Sequence, residues 1–292
     1  MKAKEILFAA KINLKKAKID NPHLEAEILL SHILKKPREY LFAHPEYELN
    51  KKQVTSYKLQ VTRRLQGVPI AYLTGEKEFY GLKFFVNKNV LIPRPETEMM
   101  IDETLKLITC NLKPVSIIDI GTGSGCIAIT LAKLLTKGTE NTSYKFIATD
   151  ISGKAISIAK KNAKFHDVNK IIKFLYGDSL SPVPSSRFQV TSYKIITANL
   201  PYLTPAQIKK SPSIRFEPKL ALAAGPDGLR YYRRLFRQIY RTKMKSTTIL
   251  CEIDPSQKAS IKRLAKKLLP SSSIELKKDL RDHNRLAIIK IA

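Results

Sequence analysis

Residues that can bind a ligand recur at the ends of predicted strands. The β-branched run Ile117–Ile120 contains Asp119 and leads into Gly121-Thr122-Gly123-Ser124-Gly125. Closely spaced glycines allow positive φ angles and a close approach to a ligand, and such a loop at a helix N-terminus offers N–H groups to an anionic group. The spacing is tighter than the G-x-G-x-x-G of dinucleotide sites. The segment therefore indicates a ligand-binding loop, although a glycine-rich turn that serves only packing has the same pattern.

Two further predicted strands end in acids. Strand Tyr144–Thr149 precedes Asp150, and strand Ile171–Tyr176 precedes Gly177-Asp178-Ser179. An acid at the tip of the second strand can accept hydrogen bonds from both ribose hydroxyls of an adenosine-containing ligand. The alternative for Asp150 is an acid that favours the start of the following helix. Because ligands of open α/β sheets bind at the carboxyl ends of the strands, we expect both acids near the glycine loop.

The fourth predicted strand, Lys194–Ala198, ends in Asn199-Leu200-Pro201-Tyr202. Pro201 holds Leu200 extended and presents Tyr202 on a loop. This arrangement suits a planar NH2 group, because the Asn199 oxygen and a backbone carbonyl accept its two N–H bonds while the Tyr202 ring covers its plane. Asn199 and Tyr202 are therefore the candidate catalytic residues. An ordinary Asn-Pro turn is the alternative.

Alternating strands and helices must position these strand ends. After the glycine loop, the chain alternates β-branched runs with helical apolar spacing, which predicts an α/β Rossmann-like sheet. The proline-rich segment Thr204–Pro226 is expected to border the pocket as a lid or wall. The remaining predicted elements are helix Leu229–Lys243, strand Thr247–Ile253, helix Ser256–Leu269 and strands near Ile274–Leu276 and Leu286–Ile291.

The N-terminal part predicts a small all-helical domain over residues 1–70. Apolar residues repeat with helical spacing, and Asn50 with Gln53 fits a capping pair at the start of one helix. No cluster here looks catalytic, so we expect a role in substrate recognition. Residues 71–92, which include the aromatic stretch Tyr72–Val86, predict a hairpin that joins this domain to a second one over residues 93–292.

Composition narrows the class of protein. The 292 residues, 43% of them hydrophobic, suffice for two domains with buried cores. The three cysteines, Cys110, Cys126 and Cys251, and the five histidines are scattered, so we predict no metal and no disulfide framework. No apolar stretch reaches membrane-spanning length and the N-terminus lacks a signal-peptide pattern, so we expect a cytoplasmic protein. We also expect no membrane partner and a monomer.

The charge is strongly basic. Lysine and arginine number 52 against 25 aspartate and glutamate residues, a formal net charge of +27. Such an excess favours polyanionic partners such as RNA or the ribosome, because basic patches release counterions on binding. A lysine-rich proteome produces the same excess without any such site. Both interpretations stay open on the sequence.

The order of glycine loop, acid, acid and Asn-x-Pro-Tyr on successive strand ends resembles a class I methyltransferase that uses S-adenosyl-L-methionine and acts on a planar NH2 group. The resemblance implies a seven-stranded, mostly parallel sheet. It also implies that the cofactor contacts Asp119, the Gly121–Gly125 loop, Asp150 at the ribose, Asp178 with Ser179 near the adenine, and Asn199.

The segment Leu91-Ile92-Pro93-Arg94-Pro95-Glu96-Thr97-Glu98, the motif Phe216-Glu217-Pro218 and the helical N-terminal domain resemble the release factor glutamine methyltransferase family. That resemblance implies N5-methylation of the glutamine in the Gly-Gly-Gln loop of bacterial release factors, which are the expected protein partners. The expected substrate-binding residues are Arg94, Asn199, Leu200, Pro201, Tyr202 and Glu217.

One position departs from the family pattern. The family usually has Asn-Pro-Pro-Tyr, and Leu200 gives a form that also resembles ribosomal RNA adenine N6 methyltransferases. The carbonyl of residue 200 survives the substitution. The alternative function is therefore N6-adenine methylation of RNA or other nucleic acid, which the charge supports and the Arg94 segment opposes. A non-catalytic RNA-binding module and a dinucleotide oxidoreductase fit the intact motifs less well.

Overall fold

The computed structural model describes residues 1–109, 114–136, 144–184 and 193–292, so Cys110 lies outside the described residues. By the contacts between their residues, two compact units form, Met1–Glu76 and Lys77–Ala292. The division falls after Glu76, whereas the sequence predicted that the helical domain would end at residue 70. None of the described helices is long and apolar enough to cross a membrane.

The first unit is helical. Its elements are α1 (Ala3–Lys16), α2 (Pro22–Leu34), α3 (Arg38–Ala43), α4 (Lys51–Leu65) and α5 (Ile70–Thr74). The predicted cap of α4 is present: Asn50 Oδ1 accepts the Gln53 N–H at 2.9 Å, and Gln53 Oε1 accepts the Asn50 N–H at 3.0 Å. These bonds satisfy two donors that a helix or its flanking residue leaves unpaired at the N-terminus.

The hairpin is shorter than predicted. Tyr72 lies in α5, which is capped at its C-terminus by Gly75 with a φ of +78°, and only then do β1 (Glu76–Phe79) and β2 (Leu82–Phe85) follow. Tyr80 and Gly81, with φ angles of +51° and +70°, form the two-residue connection. Two positive φ angles match the twist of antiparallel strands. The prediction began too early because a short apolar run fits a strand and a buried helix equally well.

The second unit contains a seven-stranded sheet in the order β5-β4-β3-β6-β7-β9-β8. All neighbours are parallel except β9, which is antiparallel to both β7 and β8. The predicted Rossmann-like, mostly parallel sheet is therefore confirmed. The strands are β3 (Val115–Ile120), β4 (Tyr144–Asp150), β5 (Ile172–Tyr176), β6 (Tyr193–Ala198), β7 (Thr247–Glu252), β8 (Ser272–Lys278) and β9 (Asn284–Ile291).

Helices and short turns connect these strands. They are the 3₁₀ turn Pro95–Thr97, α6 (Glu98–Thr109), α7 (Cys126–Thr136), α8 (Gly153–Phe165), α9 (Pro205–Lys210), α10 (Arg230–Thr242) and α11 (Lys258–Leu268), with further 3₁₀ turns at Pro212–Ile214, Lys219–Ala221 and Pro255–Gln257. The central strands β3 and β6 are almost wholly buried. Burial of both faces is the usual state of a parallel sheet covered by helices.

Asn162 on α8 joins the hairpin to the glycine-rich loop. Its Oδ1 accepts the Phe85 N–H at 2.7 Å, and its amide nitrogen donates to the carbonyls of Phe85 at 3.0 Å and Ser124 at 2.8 Å. The side chain is fully buried. A buried amide whose partners are all backbone groups holds the loop at a defined distance from the hairpin.

Asn162→Ala removes these three bonds without lowering helix propensity. We expect the free energy of unfolding to fall by about 2–4 kcal/mol, since the Phe85 and Ser124 groups lose their partner. Chemical denaturation measures the change. Asn169→Ala, at an exposed turn position, is the control and should cost under about 0.5 kcal/mol. Equal losses in the two variants would contradict this role for Asn162.

Candidate active site

A cleft opens at the carboxyl ends of β3, β4 and β6, where the strand order reverses and open α/β sheets bind ligands. Its volume is about 1010 Å³ with the solvent at its mouth included. The predicted site residues that line it are Arg94, Gly121, Thr122, Gly123, Ser124, Asp150, Asp178, Ser179, Asn199, Leu200 and Pro201. Pro218, Leu220 and Ala221 line it too, so the proline-rich segment forms a wall as predicted.

The glycine loop has the predicted backbone but not the predicted donors. Gly121, Gly123 and Gly125 have φ angles of +70°, +56° and +84°. The N–H groups of Gly121 and Thr122 donate to the Thr149 carbonyl, each at 2.9 Å, and that of Gly125 donates to the Thr122 carbonyl at 2.8 Å. The Gly123 N–H donates to Asp150 Oδ2 at 2.9 Å. The predicted nest of free N–H groups is therefore wrong for these four residues, whose N–H groups are engaged within the protein.

Asp119 stabilises this loop through hydrogen bonds inside the protein. It is 1% exposed and does not line the cleft. Its two carboxylate oxygens accept the hydroxyls of Thr122 at 2.6 Å and Thr197 at 2.9 Å. Burial raises the pKa of the Asp119 carboxyl to about 6, and the two hydroxyls oppose that rise. The Asp119 side chain thus connects the loop, through Thr122, to β6, through Thr197.

Asp150, at the end of β4, faces the cleft. Its Oδ2 accepts the Gly123 N–H at 2.9 Å, and its Oδ1 accepts the Ser152 N–H at 2.8 Å. Burial raises the pKa of this carboxyl, while the two backbone donors lower it. A carboxylate has about four acceptor sites, so each oxygen keeps one for a ligand hydroxyl.

Asp178 and Ser179 line the same cleft and are held by α10. The Asp178 carboxylate pairs with Arg234 and accepts the Ser179 hydroxyl at 3.0 Å. Gln238 donates to the Asp178 carbonyl at 3.3 Å and accepts the Leu180 N–H at 3.0 Å. These contacts fix the turn after β5.

Asn199 follows β6 and is anchored through its amide nitrogen, which donates to Thr97 Oγ1 at 2.9 Å. The Thr97 hydroxyl donates in turn to Glu252 Oε2 at 2.6 Å. Glu252 is the last residue of β7 and is 3% exposed. Burial raises the pKa of its carboxyl, whereas the Thr97 hydroxyl and the nearby Arg285 charge favour the ionised form.

Tyr202 does not cover the cleft as predicted. Its hydroxyl donates to Glu252 Oε1 at 3.3 Å, and the residue does not line the cleft. The phenol thereby gives the buried Glu252 carboxylate a second donor. Burial raises the pKa of the Tyr202 phenol, so it stays protonated and keeps donating.

Leu200 occupies the place of the usual family proline. It is buried, and a Cβ added to Gly121 would lie 2.9 Å from its Cδ2. The leucine therefore packs directly on the glycine loop, and Gly121 leaves it room.

Arg94 lines the cleft and pairs with Glu217, whose Oε2 also accepts the Ile92 N–H at 3.2 Å. Glu217 is 5% exposed and does not line the cleft, so this predicted substrate-binding residue instead anchors the Arg94 side chain.

Sequence reasoning missed two residues of this network, Thr97 and Glu252. Thr97 lies inside the segment singled out by its prolines and charges, and Glu252 is an acid at a strand end, as Asp150 is. That shared position was the available signal. Among the described residues, no group of three or more histidine, cysteine, aspartate or glutamate side chains is arranged to hold a metal ion.

Two family models match the chain: the PrmC N-terminal domain over residues 5–75 and a methyltransferase domain over residues 112–284. The chain is 35% identical to the release factor glutamine methyltransferase of Bacillus anthracis, with 91% of each chain covered. It is 33% identical to the bifunctional methyltransferase of Rickettsia bellii over 94% of its own length, and it spans about half (52%) of that relative.

Solved structures agree on the fold. The hMettl16 catalytic domain in complex with the MAT2A 3′UTR hairpin 1 superposes with a TM-score of 0.57 at 16% identity, covering 90% of each chain. At that identity the likeness concerns the fold alone. S-adenosyl-L-methionine is the cofactor of this class of methyltransferase domain. The matched domain and the relative covered along nine tenths of its length identify the chain as a member of the release factor glutamine methyltransferase family.

Proposed function

We propose that this chain transfers a methyl group from S-adenosyl-L-methionine to the side-chain amide nitrogen, N5, of the glutamine in the Gly-Gly-Gln loop of bacterial release factors. The observation that carries the proposal is that Asn199, with its amide nitrogen already engaged by Thr97, lines the same cleft as the glycine loop. The Bacillus anthracis relative supports the choice of substrate.

The residues present fit the cofactor. Asp150 keeps acceptor sites for the two ribose hydroxyls, and Asp178 with Ser179 lines the part of the cleft assigned to the adenine. Gly121 lines the cleft, and among the described residues its carbonyl has no hydrogen-bond partner. This carbonyl can therefore accept a hydrogen bond from the ammonium group of the cofactor. Acceptors in place of free N–H groups suit a cationic ligand better than a phosphate.

The substrate amide needs two acceptors. Within the described ranges no donor reaches Asn199 Oδ1 or the Leu200 carbonyl, and both residues line the cleft. These two oxygens can accept the two N–H bonds of the glutamine NH2. Leucine in place of the usual proline leaves the carbonyl of residue 200 available, and the packing of Leu200 on Gly121 holds that residue in position.

The chemistry asks mainly for positioning. The sulfonium of the bound cofactor supplies an electrophilic methyl group. An amide nitrogen is a weak nucleophile because its lone pair is delocalised into the carbonyl, so Asn199 and the Leu200 carbonyl contribute by aligning that nitrogen. No conventional general base is required, since the methylated nitrogen is acidic and its proton leaves after transfer.

Asp150→Asn tests the cofactor site. The change removes the negative charge and replaces one carboxylate oxygen by an NH2 group, which cannot accept a hydrogen bond from a backbone N–H or a ribose hydroxyl. We therefore expect S-adenosylhomocysteine to bind at least about tenfold more weakly. Isothermal titration calorimetry measures the dissociation constant. Asp167→Asn, at an exposed turn with a φ of +60° that asparagine tolerates, is the control and should bind normally. Unchanged affinity in Asp150→Asn would exclude this ribose contact.

Methyl transfer from labelled cofactor tests the reaction. We expect label on a purified release factor, none on the same factor with its Gly-Gly-Gln glutamine replaced, and none on ribosomal RNA. Asn199→Ala should lower kcat by about 10²–10³-fold, because it removes one of the two oriented acceptors.

Two outcomes would contradict the proposal. Label on RNA with none on protein would favour the adenine N6 reaction. Near-normal turnover by Asn199→Ala, with Asn169→Ala as the control, would remove Asn199 from the mechanism.

A further inference from the structure

The orientation of the Asn199 amide follows from the chemistry of its partners. Thr97 Oγ1 has one hydrogen, and that hydrogen points to Glu252 Oε2 at 2.6 Å. An ionised carboxylate can only accept, so the Thr97 hydroxyl has to donate to it. Thr97 Oγ1 is then left as an acceptor for Asn199. The Asn199 atom at 2.9 Å must therefore be the amide nitrogen, and Oδ1 takes the other side.

The sheet brings the three residues together. Ala198 on β6 pairs with Cys251 on β7, so Asn199 and Glu252 are the next residues at neighbouring strand ends. Thr97 reaches them from the 3₁₀ turn before α6. Thr97 and Glu252 are 2% and 3% exposed, which protects the two bonds from competing water.

The rest of the environment keeps Glu252 in the accepting role. Tyr202 donates to Oε1 at 3.3 Å, and Tyr232 donates to the main-chain carbonyl of the same residue. Both phenols are donors that stay protonated, since burial raises the pKa of each. Each carboxylate oxygen of Glu252 thus accepts a hydrogen bond from a hydroxyl, Oε2 from Thr97 and Oε1 from Tyr202.

We propose that Thr97 and Glu252 are positioning residues that hold the Asn199 amide with Oδ1 toward the substrate, and so make the site accept an amide NH2 and reject a carboxylate. The inference rests on the proposed function and assigns its specificity to residues outside the Asn199–Tyr202 turn. A reversed amide would present its NH2 to the glutamine NH2, donor against donor. The same reversed amide would offer a hydrogen bond to a glutamate.

Thr97→Val tests the inference because it keeps the shape of the side chain and removes the hydroxyl. We expect kcat to fall about tenfold or more, as one oriented hydrogen bond corresponds to about 1.4 kcal/mol. The dissociation constant of S-adenosylhomocysteine should stay within about threefold of wild type. Thr97→Ser restores the hydroxyl and should recover most of the lost rate.

Thr104→Val is the matched control. Thr104 is fully buried on α6, and its hydroxyl has no hydrogen-bond partner among the described residues. This variant removes a buried hydroxyl of the same kind without touching the Asn199 network. We expect normal kcat and normal substrate preference.

A polarity readout separates orientation from general damage. The ratio of dissociation constants is measured for a release factor with its Gly-Gly-Gln glutamine and for the same factor carrying glutamate there, with S-adenosylhomocysteine present. Wild type should prefer glutamine, and Thr97→Val should narrow that preference about tenfold. Glu252→Gln, which can donate to Thr97 and so permit the reversed amide, should narrow it in the same direction.

The outcomes distinguish the two proposals. An unchanged ratio in both Thr97→Val and Glu252→Gln, or a kcat of Thr97→Val equal to that of Thr104→Val, overturns the positioning role while methylation by wild type stands. A wild type that neither binds nor labels a release factor overturns the proposed function itself.

Discussion

Three buried or half-buried carboxylates at the ends of parallel strands have to be satisfied by donors, and the loops of the site are built to supply them. Asp119 near the end of β3 takes two threonine hydroxyls, Asp150 at the end of β4 takes two backbone N–H groups, and Glu252 at the end of β7 takes the hydroxyls of Thr97 and Tyr202. An unpaired buried carboxylate costs several kcal/mol, so each donor segment is held in one conformation.

Acids at the strand ends also give a protein of net charge +27 a cleft that suits the proposed binding of a cationic cofactor. Net charge describes the whole surface, whereas the potential in a cleft depends on the groups within a few ångströms. Asp150 and Asp178 line the cleft, and the N–H groups of Gly121, Thr122, Gly123 and Gly125 are engaged within the protein. The site is therefore locally rich in acceptors on a strongly basic chain.

Local pattern in the sequence determined much of the architecture. The alternation of β-branched runs and helical spacing predicted the sheet, the glycines at 121, 123 and 125 predicted positive φ angles, and Asn50 with Gln53 predicted a cap. The carboxyl-end rule predicted that Asp150, Asp178 and Asn199 would line one cleft. Such features follow from chain neighbours and from the parallel sheet alone, so they can be predicted without coordinates.

Only the tertiary structure decided which way the polar groups face. Asp119 and Asp150 are similar in sequence context, yet Asp119 lies beneath the loop and Asp150 lines the cleft. Tyr202 was predicted over the substrate and instead bonds Glu252, 50 residues away in sequence, while Thr97 meets Asn199 across 102 residues. Hydrogen-bond direction depends on partners brought together by folding, and an amide or a hydroxyl has no preferred orientation until a buried carboxylate imposes one.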